Sequence, residues 1–418
     1  MSTLKSSKKP FDISKWEVWD AWIKVKGNKG APGVDELSLA EFEADLEDNL
    51  YMIWNRMSSG TYFPPPVKGV EAEKQHGGGT RMLGVPTVGD RVAQTVVAAH
   101  LQQRLEPVFH PDSFGYRPGR SQLDAVETCR RRCWEYDWVI DLDVQKFFDS
   151  VPWELIVKAV KAHTDARWVV LYVERWLAAP IHMPDGTVQP RDRGTPQGSA
   201  VSPVLANLFM HYAFDRWLSE NFPSVAFERY ADDAVVHCAS QAQARQVLEA
   251  LHERMAEVGL KLHPDKTKIV YCKDSNRRAQ FACTSFTFLG FTFRPRCARR
   301  KDGVMFTNFL PAVSKDALKK MRAQVRSWRL HRRVNSTGQE LAELVNPVVR
   351  GWMNYYGAFY RSELYPVLHH INTYLLRWIM NKYKRLSTWD KAIQAMRDAI
   401  ERNPRYFAHW SWVKPALR

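Results

Sequence analysis

Apolar residues near the N-terminus repeat at helical spacing. Trp16, Trp19, Trp22 and Ile23 form one set, ended by Asn28-Lys29-Gly30-Ala31-Pro32-Gly33. Phe42, Leu46 and Leu50 form a second, stopped near Ser59-Gly60. Both read as core stripes of a small helical element. Pro64-Pro65-Pro66 marks an extended connection, and Val67 to Val85, interrupted by Gly77-Gly78-Gly79, reads as a β-hairpin with Lys74 and Arg81 near its tip. A long helix is expected from Asp90 to Leu105, a strand from Trp138 to Asp143, a helix opened by Pro152, and a hairpin from Ile181 to Val188. Ser202 to Leu218 reads as a helix, Val225 to Cys238 as strand–turn–strand, Gln241 to Val258 as a helix, and Lys268–Tyr271 and Phe286–Phe293 as short strands. After Pro311 the pattern becomes all-helical. Strands interleaved with helices, followed by a helical region, predict an α+β unit and a separate helical domain.

Charge sharpens this division. The 418 residues carry 60 Lys/Arg and 45 Asp/Glu, a formal charge of +15. From Ser314 to Arg418 there are 20 Lys/Arg against 7 Asp/Glu, so this stretch alone holds +13. A basic C-terminal region on a nearly neutral remainder points to a polyanion, most simply nucleic acid. No apolar run approaches the length of a membrane span, and the N-terminus lacks an apolar signal region. The six cysteines show no Cys-x-x-Cys pair, which speaks against a disulfide framework or a cysteine-built zinc module and for a reduced, cytoplasmic protein.

The candidate chemistry lies at Tyr230-Ala231-Asp232-Asp233, two carboxylates at a turn tip. Asp is also an ordinary turn residue, so the pair reads either as a turn or as half of a site for hard cations. Asp143, at the end of an apolar strand, is the third carboxylate. Three such groups together can hold two divalent ions about 3.5–4 Å apart for in-line phosphoryl transfer. Asp141 and Asp149 read as structural. The loop Gly194-Thr195-Pro196-Gln197-Gly198-Ser199 precedes a helix N-terminus, where backbone N–H groups can meet a phosphate or sugar. Between Lys315 and Arg333, the stripe Leu318, Met321, Val325 and Trp328 is flanked by Lys319, Arg322, Arg326, Arg329 and Arg333, a helix able to pack on a core while tracking a phosphate backbone. Lys382, Lys384 and Arg385 form a second basic cluster, and Trp352, Tyr355, Tyr356, Phe359 and Tyr360 read as helical-domain core.

These residues fall in an order that resembles a known family. Arg81-x-Leu83-Gly84-x-Pro86-Thr87-x-x-Asp90-Arg91, then Phe114-Gly115-Tyr116-Arg117-Pro118-Gly119-Arg120-Ser121, resemble the fingers of a bacterial group II intron-encoded reverse transcriptase. The similarity continues through Asp143 to Asp149, Thr195-Pro196-Gln197-Gly198, Tyr230-Ala231-Asp232-Asp233, Gly259-Leu260-x-Leu262-x-x-x-Lys266-Thr267 and Phe288-Leu289-Gly290. Asn28 to Asp35 resembles the family's N-terminal extension, and Asn346-Pro347-x-x-Arg350-Gly351-Trp352-x-Asn354-Tyr355-Tyr356 its thumb, or maturase, domain.

The resemblance implies an α+β right-hand polymerase. Its parts would be an N-terminal helical extension (1–60), fingers and palm (61–310), an all-helical thumb/maturase domain (311–385) and a short basic tail (386–418). It implies Mg²⁺ as the metal, with Mn²⁺ as a substitute, at Asp143, Asp232 and Asp233. Lys74 and Arg81 would grip the triphosphate, Gln197 would lie near nucleotide and template, Lys266 would support the palm, and Leu289-Gly290 would sit near the primer terminus. The text around Lys74 is one residue longer than the family's usual Ile-Pro-Lys, and Ser199-Ala200-Val201 replaces its usual Gly-Pro-Leu. The resemblance also places Phe148 under the nucleotide C2′, where a bulky ring crowds a 2′-OH and leaves it unpartnered, favouring deoxynucleotides. Implied partners are an RNA template, a DNA or RNA primer, dNTPs and a structured intron RNA whose splicing and retrohoming the protein would assist, with no membrane. The alternatives are a domesticated relative in phage defence or DNA repair, or an RNA-binding splicing maturase. The residues after Leu386 are too few for a DNA-binding segment plus a His-Asn-His nuclease and contain no cysteine, so no endonuclease activity is expected.

Overall fold

The structure is a computed structural model that describes residues 9–73, 80–300 and 302–414. The chain folds as two compact units, Met1–Ser121 with Leu142–Val236 and Gln241–Lys268, and Gln122–Asp141 with His237–Ser240 and Ile269–Arg418. Among the described residues, no helix is long and apolar enough to cross a membrane.

In the first unit, helix Lys15–Gly27 begins at a Ser14/Glu17 capping box and buries Val18, Ala21, Trp22 and Val25. The buried stripe is therefore offset from the expected one: Trp22 is core, whereas Trp16, Trp19 and Ile23 are exposed. The second expected helix is two, Leu39–Ala44 and Leu46–Ser59, separated at Asp45, with Gly60 at φ +78° ending the latter. Strands Val67–Glu73 and Thr80–Val85 form the expected antiparallel hairpin. It extends into a sheet because Val67 and Lys68 pair in parallel with Ile181 and His182, whose own partners are Gln189 and Val188. Helix Val88–Leu105, capped by Thr87, is among the most buried elements. Ser202–Met210 does not run straight to Leu218: a π-helical turn, His211–Asp215, intervenes before Arg216–Asn221. Strands Ala226–Tyr230 and Asp233–Cys238 flank the Asp-Asp turn.

In the second unit the strand expected over Phe286–Phe293 is two strands, and a third, Met305–Val313, runs past Pro311, where the helical pattern was expected to begin. Phe286–Phe288, Phe291–Arg299 and Met305–Val313 form an antiparallel sheet, with Phe291–Arg299 central. Pro311 is tolerated because its strand is an edge strand. Ser314 then caps helix Lys315–Ser327. This helix is shorter than expected, since Arg329 adopts φ +48° and Arg333 donates to the Trp328 carbonyl. Gly338–Tyr356, Tyr365–Lys382 and Trp389–Arg402 complete the bundle. Leu318, Met321, Val325 and Trp328 are buried in its core, as their spacing predicts. The region expected to be a basic tail contributes Ile393, Met396, Ile400, Phe407 and Trp410 to that same core. Trp352 and Tyr356 pack against it.

Candidate functional site

Six of the expected residues meet in one cavity of about 670 Å³ in the first unit: Arg81, Asp143, Phe148, Gln197, Asp232 and Lys266. Tyr116, Gln145 and His263 complete much of the lining. Asp143 follows strand Trp138–Leu142 directly, and its backbone is pinned on two sides. Its carbonyl accepts from His263 N–H at 2.8 Å and its N–H donates to Thr267 Oγ1 at 3.3 Å. Lys266 reaches over to Asp143 Oδ2 at 3.0 Å. Phe148 lies on the short helix Phe147–Ser150, entered through Lys146 at φ +44°, and its ring packs edge-on against the buried Phe147. Asp149 also borders the cavity.

Asp232 sits at a turn whose shape a buried arginine enforces. Arg229 grips Asp215 through Nε and Nη2, each at 2.6 Å, and both side chains are fully buried. The same guanidinium donates to Ala231 O at 2.8 Å, Asn207 Oδ1 at 3.0 Å and Ser113 Oγ at 2.8 Å. Ala231 can therefore hold φ +60°, unusual for a residue with a Cβ. Gly115 packs against this turn so closely that a Cβ would collide with the Ala231 backbone nitrogen. Burial, reinforced by the charge of Asp143, pushes the Asp232 carboxyl above its ordinary range, against the pull of Arg229 and Arg81. Burial and the nearby Asp232 also raise the Tyr116 hydroxyl.

Gln197 is held from behind. Gly84 N–H donates to Gln197 O at 2.7 Å, and a Cβ on Gly198 (φ +114°) would lie 2.7 Å from Gly84 O, so the loop and the hairpin strand meet backbone to backbone. Thr195 N–H donates to Phe148 O at 2.6 Å, tying the same loop to the Phe148 helix. Sequence reading missed the deeper support. Asp90, fully buried, accepts from Tyr62 Oη at 2.8 Å, Trp176 Nε1 at 2.7 Å and Gln94 Nε2 at 2.9 Å. Gln94 Oε1 in turn accepts from Ser199 Oγ and from Ala200 N–H at 2.8 Å. Burial raises the Asp90 carboxyl to about 6. The available signal was Asp90 and Gln94 four apart on one helical face.

The other expected residues lie elsewhere. Asp233 opens the next strand, is exposed and does not line the cavity, as the period-2 reversal of neighbouring strand side chains requires. Lys74 lies outside the described residues. Leu289 and Gly290, both with positive φ, form the two-residue turn between Phe286–Phe288 and Phe291–Arg299. The Leu289 carbonyl accepts from Tyr355 Oη at 2.8 Å. Lys319 and Arg326 are exposed on the helix Lys315–Ser327 and Arg322 is half-buried, while Arg329 and Arg333 follow that helix.

The cavity suits a divalent cation. Asp143 and Asp232 supply hard oxygen donors, and their mutual repulsion is relieved in part by the Lys266 ammonium on Asp143, a position where positive charge is already favoured.

Residues 72–293 match the family described as reverse transcriptase (RNA-dependent DNA polymerase), and residues 318–396 match the group II intron maturase-specific domain. Protein YkfC of Escherichia coli (strain K12) is 31% identical over 287 residues, covering 59% of this chain and 74% of that protein. Group II intron-encoded protein LtrA of Lactococcus lactis subsp. cremoris is 29% identical over 193 residues, covering 46% of this chain and 32% of that one. A putative COX1/OXI3 intron 1 protein of Saccharomyces cerevisiae is 27% identical over 248 residues, covering 59% and 28%. The chain thus spans about three quarters of the first relative and about a third or less of the other two. With more than half its length matched by that family and the maturase-specific domain following in order, this chain belongs to the reverse transcriptases of the group II intron-encoded type.

Proposed function

We propose that this protein extends a primer 3′-OH with deoxynucleotides on an RNA template, with Asp143 and Asp232 as the metal-holding pair. The observation that carries this is their convergence in one cavity whose walls also present Arg81, Gln197 and Phe148. Divalent ions bound there would neutralise the carboxylate pair, acidify the primer hydroxyl and offset charge on the leaving pyrophosphate. Arg81, exposed at the cavity edge, supplies a fixed positive charge for the triphosphate, and Lys266 holds Asp143 in place between turnovers. Gln197, anchored through the Gly84–Gly198 contact, orients the nucleotide against the template. Phe148 closes the wall under the sugar, so a 2′-OH meets a ring rather than a partner. Asp233, which does not line that cavity, is the adjacent carboxylate of the same turn.

The maturase-specific match supports a second role in binding intron RNA to assist splicing and retrohoming, carried by the basic second unit. A defence or repair role would use the same chemistry without a cognate intron. Extension of a DNA primer on an RNA template with Mg²⁺, offering dNTPs or rNTPs, tests the polymerase reading. Incorporation of dNTPs that stops on chelation is expected; preferential incorporation of rNTPs would contradict it.

A further inference from the structure

The bundle of the second unit carries two pockets that share one segment of chain, 402–411. One, of about 370 Å³, lies within the roughly 300–1,000 Å³ typical of small-ligand sites. Its lining includes five aromatic rings, from Trp378, Tyr383, Tyr406, Phe407 and Trp410, with Arg402 and Asn403 beside them. Tyr383 is 39% exposed. The Asn403 side chain is exposed and, among the described residues, makes no hydrogen bond within the chain, so its amide can both donate to and accept from a base edge. The other pocket, of about 240 Å³, is lined by Arg350, Met353, Asn354, Arg405, Ala408 and Ser411. Arg350 and Arg405 are exposed and, among the described residues, neither pairs with a carboxylate.

An aromatic pocket beside a two-arginine pocket is the pairing that an unstacked nucleotide needs: a π-surface for the base and cations for the phosphate. The surrounding charge agrees, at +13 from Ser314 to Arg418. We propose that segment 402–411 is a docking site for single-stranded RNA, seating one unpaired nucleobase in the aromatic pocket and a phosphate of the same strand between Arg350 and Arg405. This rests on the reading of the second unit as an RNA-binding maturase domain and deepens it by naming where and what form of RNA is held. A duplex cannot use the site, because its bases are stacked and paired.

The test uses the full chain and a short single-stranded RNA carrying 4-thiouridine, crosslinked by long-wavelength light and mapped by mass spectrometry. Crosslinks are expected on peptides containing Tyr383 or residues 402–411, and none there when the same strand is annealed to its complement. Tyr383→Ala should weaken binding of the single strand about tenfold, the scale of one lost base–aromatic stack. Arg405→Glu should weaken it too, and so should Asn403→Ala, an exposed change that spares the core and so separates lost binding from misfolding. RNA that binds the protein but crosslinks only outside these peptides would overturn the site while leaving the maturase reading standing. Absence of any RNA binding would instead remove the maturase reading itself. A deoxy strand captured better than the ribo strand would overturn the assignment to RNA.

Discussion

At the residue scale, two side chains make opposite uses of burial. Phe148 lines the cavity as an apolar wall, and in the proposed reaction its influence is steric and falls on the sugar. Phe148→Ala should lower the preference for dNTPs over rNTPs by about 10- to 100-fold, read as the ratio of kcat/KM values for matched nucleotides. An unchanged ratio would mean that the ring only fills space. Asp90 is a carboxyl in a dry site, raised to about 6 from an ordinary 3.8. The folded state therefore holds its proton more tightly than the unfolded chain does. Its stabilising contribution is fully present below pH 3.8 and is lost as pH rises through 6. Asp90→Asn lacks this dependence, so between about pH 4 and pH 8 the stability difference should move in the variant's favour by about 2–3 kcal/mol. Denaturant titrations at both pH values check this, and a pH-independent difference would contradict it. Asp143 and Asp232 were legible in the sequence because one ends an apolar strand and the other tips a hairpin. Asp90 was not, because its partners Tyr62 and Trp176 are far away in the chain and no local spacing points to them.

At the element scale, the loop carrying Gln197 is positioned by a relay. The Asp90 carboxylate draws the Gln94 amide nitrogen toward itself, which turns the Gln94 oxygen toward Ser199 and Ala200. Asp90→Asn breaks this logic by placing a second amide where the acceptor stood, so Gln94 can flip and present donors to the Ala200 N–H. A several-fold rise in KM for dNTPs is expected, with a smaller change in kcat, since the loop is displaced and the carboxylate pair is not. Adding Gln94→Glu should restore KM, because the new acid then faces both the amide introduced by Asp90→Asn and the loop. Failure of the double variant to recover would show that Asp90 acts only through stability. Element boundaries show where pattern reading stops. Both faces of Lys15–Gly27 are apolar, so spacing finds the helix but cannot say which face is covered; Trp22 is buried and Trp16 is not. Met305–Val313 escaped notice because Pro311 reads as a break, whereas an edge strand accommodates it.

At the scale of the whole molecule, charge and chemistry divide between the two units. The first holds the carboxylate cavity and the second most of the excess positive charge. RNA affinity should fall steeply with salt, and replacing Lys319, Arg322 and Arg326 with Gln should flatten the log–log salt slope by about 2–3. An unchanged slope would place the phosphate contacts elsewhere in the unit. Chelating divalent ions should stop nucleotide addition and leave this RNA affinity largely intact, because arginine–phosphate contacts need no metal. The family was legible at this scale because its motifs follow one another in order along the chain. The role of 386–414 was not: a basic composition suggests a solvated tail, but Ile393, Met396, Phe407 and Trp410 fall on faces that only the assembled bundle can bury.

In the proposed reaction Asp143 and Asp232 act as one centre. Single-turnover addition of one dNTP to a DNA primer on an RNA template, followed as Mg²⁺ is titrated, tests this most directly. Asp143→Asn and Asp232→Asn should each slow addition by roughly three orders of magnitude at saturating nucleotide, and the double variant should be little slower than either, as expected of residues working as a unit. Asp233→Asn should be far milder. Wild-type rates in either Asp143→Asn or Asp232→Asn, or a loss confined to Asp233→Asn, would contradict it.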